Sequence, residues 1–154
     1  MESDEITVMV VWPSVARFSL GSRLGELYAA EAGFYIFTVG NLAALGSIPL
    51  ALGLYFLRLG TGVHYKLTNR RVLEQRFGDV IGAIPLDGFD SIEVDRQAGQ
   101  HWYDAGDLVF RRQGQEVFRL RAVSRPEAFR RTCWKSHQSF LGVRQALSRE
   151  AVPA

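Results

Sequence analysis

The sequence predicts a membrane-anchored α+β protein: one transmembrane helix followed by an antiparallel β-sandwich or barrel that a C-terminal helix caps. Three observations carry this expectation. Between Glu31 and Arg58 no residue is charged, over the 26 residues "AGFYIFTVGNLAALGSIPLALGLYFL". After Gly60-Thr61-Gly62 the apolar run gives way to short alternating segments separated by turn residues. The last stretch places apolar residues three and four apart, the spacing of one helix face.

The uncharged run, read as a helix, is about 39 Å long at 1.5 Å per residue. That exceeds a hydrocarbon core of about 30 Å. Aromatic residues sit at its ends, Phe34, Tyr35 and Phe37, then Tyr55 and Phe56, as interfacial anchors do. A transmembrane helix over 32–58 follows, with a re-entrant segment broken near Pro49 as the alternative. Small residues Gly33, Gly40, Ala44, Ser47 and Ala51 are spaced seven, four, three and four apart, which would let a second helix pack closely. That stripe implies a homo-oligomer or a membrane-protein partner. Residues 1–31 form a juxtamembrane segment in which Phe18, Leu20, Leu24, Leu27 and Tyr28 share one side of an amphipathic helix. A helix packing on the C-terminal domain is the other reading of the same pattern. Gly21 and Gly25 weaken it.

Strands are expected over 63–123. "VHYKLT" sets Val63, Tyr65 and Leu67 against His64, Lys66 and Thr68. "RVLEQRF", "VIGAIPL", "FDSIEVDR", "QHWYDA", "DLVFRR" and "EVFRLRAV" bring the number to about seven. A helix over 124–148 follows, with Ser124 as N-cap, Pro126 in the first turn and Glu127 completing a capping box. Phe129, Cys133, Ser136, Phe140, Val143 and Leu147 form its buried face.

These motifs, "YKLTNRRV", "IPLDGFDSIEV", "AGDLVF" and "FRLRAVSRPEAF", taken in order over about Val63 to Gln138, resemble the bacterial PH-like family that follows transmembrane helices. The resemblance implies a PH-like domain over 63–150 held against the bilayer. Its implied function is binding or scaffolding, with an unknown ligand and no catalysis. A structural subunit of a larger membrane assembly is the alternative. PH domains that bind phosphoinositides commonly carry cations at alternating hairpin positions. Here Arg70 and Arg71 are adjacent, so they point to opposite faces and form no single inositol-phosphate pocket.

Charge is uneven along the chain. Residues 1–62 hold three arginines against five acids, and residues 63–154 hold 15 Lys+Arg against 11 acids. The basic later half suits an anionic surface, either anionic lipid headgroups or a partner's acidic face, contacted by Lys66, Arg70, Arg71 and Arg76 with the aromatic Trp102. Arg71 has a second reading, as a hairpin residue bonding nearby acids. A net charge of +2 argues against nucleic acid as partner. With Arg17 and Arg23 before the run and five cations soon after it, the positive-inside rule places the β-domain in the cytoplasm.

No cofactor or metal is expected. His64, His101 and His137 lack ligand spacing, and His137 reads as a surface residue. Asp95, Asp104 and Asp107 read as turn formers. The one cysteine, Cys133, reads as a buried inert thiol.

Overall fold

The computed structural model describes residues 5–29, 33–34, 37–38 and 46–150. Its centre is the alternating run at Val63. In β4 (Val63–Thr68) Val63, Tyr65 and Leu67 are buried. A turn at Asn69-Arg70 leads to β5 (Arg71–Arg76), and Phe77-Gly78 leads to β6 (Asp79–Pro85). Phe77 and Gly78 both have positive φ, 52° and 97°, as a tight hairpin turn requires. The register aligns Leu67 with Val72 and Val72 with Ile84, so one face of three strands enters the core.

The fourth strand of this sheet is β1 (Thr7–Val11), antiparallel to β4, giving the order β1-β4-β5-β6. It lies outside the strands expected from the sequence. Its segment "TVMVV" is rich in β-branched residues, but its partner is more than 50 residues away. The second sheet is β7 (Ser91–Asp95), β8 (Ala105–Arg112) and β9 (Gln115–Ser124), antiparallel in sequence order. The segment "QHWYDA", expected as a strand, is mostly a 3-10 turn at His101–Tyr103. Tyr103 N donates to Gln100 O at 3.1 Å and Asp104 N to His101 O at 3.2 Å, so local bonds replace a ladder.

The C-terminal helix covers Pro126–Glu150 and packs Phe129, Cys133 and His137 against both sheets. It starts later than expected because Pro126, which has no N–H to donate, takes its first position. Ser124 stays in β9, and Glu127 pairs with Arg130 at 2.9 Å instead of turning back to cap. Val143 and Leu147, expected in the buried face, are 60% and 61% exposed.

The helix α1 (Ser19–Tyr28) forms where the amphipathic pattern lies, and it packs on the β-domain. Leu24, Gly21 and Gly25 are buried, whereas Leu20 and Leu27 are exposed. The 3-10 turn before it, Val15–Arg17, is tied to the core through Tyr65. The Tyr65 hydroxyl donates to Arg121 O at 2.6 Å and accepts from Arg17 Nη1 at 2.9 Å. Burial pushes that hydroxyl well above its ordinary pKa.

The expected membrane span does not form. Within 32–58, β2 (Gly33–Phe34) and β3 (Phe37–Thr38) pair as a short antiparallel ladder. The helix that follows, α2 (Ile48–Gly60), has 13 residues. That is about 20 Å, short of a hydrocarbon core of about 30 Å. No helix among the described residues is long and apolar enough to cross a membrane. The membrane-anchored fold class, the single-pass localisation and the cytoplasmic topology inferred from flanking cations are overturned with it. The fold is a two-sheet antiparallel β domain with a C-terminal helix, here called α3. The reason lies in Pro49 and the aromatics. Proline is tolerated in a helix's first turn and not in its interior, and Pro49 is the second residue of α2. Phe34 and Phe37, read as membrane anchors, are strand formers.

Candidate functional site

Arg70 and Arg71 part company at the hairpin, as adjacent strand positions must. Arg71 is engaged by Glu5, with Nε 2.8 Å from Oε1 and Nη2 2.6 Å from Oε2. Thr68 Oγ1 donates to the same Glu5 Oε1 at 2.8 Å and accepts from Arg71 N at 3.0 Å. The Arg71 guanidinium and the Thr68 hydroxyl hold the Glu5 carboxyl down at about 2, from an ordinary 4.5. The pair therefore clasps the start of β1 to the hairpin. A folded-state pKa below the unfolded one gives stability that is present above pH 4.5 and lost as pH falls towards 2. The pair is partly exposed, so its contribution is about 1 kcal/mol. Arg71→Gln should lower stability by that amount at pH 7, and the gap from wild type should close between pH 4.5 and 2. A gap in urea titrations that ignores pH would mean the ion pair contributes nothing.

The other expected contact residues are dispersed. Arg76 stands at the far end of β5 from Arg70, its guanidinium 5.8 Å from the Phe77 ring. Lys66 lies across from Val10 and Leu73 on the outer face of the four-stranded sheet. Trp102, 52% exposed, sits beside Tyr28, ring centroids 5.6 Å apart, next to the other sheet. These residues form no common surface with the hairpin. Of the small-residue stripe, Gly40 and Ala44 lie outside the described residues. Gly33 belongs to a strand, and Ser47 and Ala51 turn towards the chain's own α1, where the Ser47 hydroxyl bonds that of Tyr28. The stripe is therefore not one helical face.

Two cavities deserve chemical comparison. One, of about 610 Å³, opens between α1 and the three-stranded sheet and is lined by Arg17, Ser22, Asp95, Asp107, Arg119 and Arg121 among others. Its charges mostly satisfy one another. Arg119 reaches Glu116 at 2.9 Å, Asp95 at 3.0 Å and Asp107 at 3.1 Å, and Glu116 first, then Asp95, hold it above its ordinary pKa. Asp104 meets Arg96 at 3.4 Å. The three aspartates thus serve arginines, and no group of three or more metal-ligating side chains gathers among the described residues.

The other cavity is a groove of about 620 Å³ between β1 and α3. Val8, Phe140 and Val143 supply apolar walls, and Thr132, Ser136 and Ser139 supply hydroxyls. Arg70 and Lys135 are exposed on it, and no acidic side chain lines it among the described residues. Sequence reasoning found Arg70 but missed the rest. The residues come from three distant segments, and the helix pattern placed Phe140 and Val143 on the buried face, so nothing in the sequence marked them as a site.

The histidines and the cysteine lie apart from both cavities. His137 is buried, not on the surface. Its Nδ1 donates to Leu86 O at 2.6 Å, and its ring stacks between Phe89 and Trp134 at 4.8 and 4.9 Å. Its spacing of four from Cys133 was the available clue. His64 Nε2 lies 3.0 Å from Gln75 Oε1, and His101 is exposed. Cys133 is buried as expected, and burial pushes its thiol up to about 12, away from nucleophilic use. Compared with family models, curated proteins and solved structures, the chain matches none, so the likeness to the PH-like family rests on its quoted motifs alone.

Proposed function

We propose that this chain is a non-catalytic binding module whose ligand surface is the groove between β1 and α3. The observation that carries this reading is the groove's composition. Apolar side chains of β1 and α3 stand open to solvent at a concave site, with Val8 and Val143 48% and 60% exposed and cations beside them. Concave apolar surface with a few placed polar groups is where ligands bind. The buried Cys133 and the separated histidines support binding without catalysis. A random dodecapeptide library panned against the full chain should enrich specific sequences. Val143→Glu should weaken them about tenfold or more, since burying an unpaired charge in the groove costs at least about 1.4 kcal/mol. Trp102→Ala should leave them unchanged. No enrichment, or binding indifferent to residue 143, would sink this reading.

A second reading, a structural subunit of a larger assembly, is favoured by α2. Leu50, Leu52, Phe56 and Leu57 are all exposed on it, while Leu54 is buried. Contiguous exposed apolar surface of this kind marks contact with another protein. The two readings use different faces and are compatible.

A further inference from the structure

β1 is the outermost strand of its sheet, with β4 on one side and no described strand along the other. Such an edge leaves alternate N–H and C=O groups free to pair with another chain. Past Val11 the edge is closed. Pro13 bridges Val123 of β9, and Ser14 N donates to Ala122 O at 2.7 Å. The two sheets therefore meet at that end. At the other end, towards Thr7, the edge looks onto the groove and the wall of α3. The β1–β4 register shifts between Thr7 and Met9, which places Val8 at an irregularity in the strand, on the groove.

We infer that the groove takes an extended, acidic peptide segment as an additional strand on β1. This rests on the binding-module reading above. Main-chain bonds to the β1 edge supply affinity, and pockets for alternate side chains supply selectivity. Side chains of an added strand alternate in direction. Every second one then meets the apolar wall of Val8, Phe140 and Val143. The acidic requirement comes from charge. Lys135 is exposed on the groove with no ion-pair or hydrogen-bond partner among the described residues, and no described lining residue is acidic. Unlike charges across an interface steer encounter and fix register. A second copy of this chain, paired through its own β1, fits less well. The stretch "ITVMVVW" from Ile6 to Trp12 carries no carboxylate to offer Lys135.

The test uses the full chain and a fluorescent heptapeptide of alternating valine and glutamate, read by anisotropy. The peptide should bind, and replacing its glutamates with glutamine should weaken it about tenfold. Backbone N-methylation at alternate positions of one parity should weaken it at least as much. The opposite parity, whose N–H groups face away from β1, should tolerate methylation. Lys135→Gln should remove most of the preference for glutamate over glutamine. If Val143→Glu abolishes binding while methylation of either parity is harmless, the groove is a binding site and strand addition is wrong. If the peptide binds but ignores Val143→Glu, the groove reading itself fails. If the peptide does not bind and the chain sediments as a dimer that Val8→Lys dissociates, the occupant is a second copy and this proposal is overturned. Absence of any binding by a monomeric chain overturns it equally.

Discussion

Asp107→Leu should lower the stability of the fold by about 3 kcal/mol or more. Asp107 is 3% exposed. Its Oδ1 accepts from Gln100 Nε2 at 2.9 Å and from Ala122 N at 2.8 Å, and its Oδ2 from Arg119 Nη1 at 3.1 Å. Arg119 keeps Asp95 and Glu116 after the change, so the guanidinium is not the main loss. The loss is the Ala122 N–H and the Gln100 amide, both buried and both stripped of an acceptor, at about 1–3 kcal/mol each. Ala122 adds to the effect. Its φ is 47°, a left-handed conformation that a non-glycine residue holds only under constraint, and Asp107 is one of the constraints. Asp107→Asn keeps one carbonyl oxygen as acceptor and should cost less than half as much. Urea denaturation of both variants separates these outcomes. If both fall within about 0.5 kcal/mol of wild type, the carboxylate does not organise this end of the sheet.

The same residue shows where sequence reasoning stops. Asp95, Asp104 and Asp107 stand near glycines, and composition alone makes them turn formers. Their arginines, Arg119 and Arg96, are assigned by sheet register, which is not local information. What was legible was periodic and local. The alternation of Val63, Tyr65 and Leu67 found β4, the turns found the two hairpins β4–β5 and β8–β9, and the spacing of Phe129 and Cys133 found α3. Non-local features were not legible. β1 pairs with a strand more than 50 residues on, and a five-residue apolar stretch has no signature of its own until that partner is known. The run after Glu31 failed for a different reason. Hydropathy reports the absence of charge and says little about backbone breaks, so two short strands and a 13-residue helix read as one span. The groove combines residues 8, 69–70 and 132–143, so only Arg70, at a hairpin turn, could draw notice.

The two glycines of α1 set helix propensity against packing, and the sign of one substitution decides which wins. On propensity alone Gly25→Ala gains about 1 kcal/mol. The structure reverses that sign. A Cβ at residue 25 would lie 2.2 Å from Gly99 O and 2.9 Å from Tyr103 Cε2. The first of these is backbone and cannot swing aside. Gly99 is equally fixed, since its own Cβ would meet Ser22 O at 1.9 Å and its φ is 78°. Helix and turn therefore touch main chain to main chain, and a methyl group must push the whole turn away. That turn carries Gln100, the partner of Asp107, so the displacement reaches the second sheet. Overpacking of this kind costs about 1–3 kcal/mol, with backbone contacts at the upper end. Gly25→Ala should thus destabilise by about 2 kcal/mol net of its propensity gain. Gly142→Ala is the matched control. It lies inside α3, a Cβ there meets nothing within 4 Å, and it should stabilise by up to about 1 kcal/mol. Thermal melts of the two single variants should therefore shift in opposite directions. A rise in Tm for both would show that α1 does not pack on this turn, and the anchoring of the N-terminal segment would have to be reconsidered.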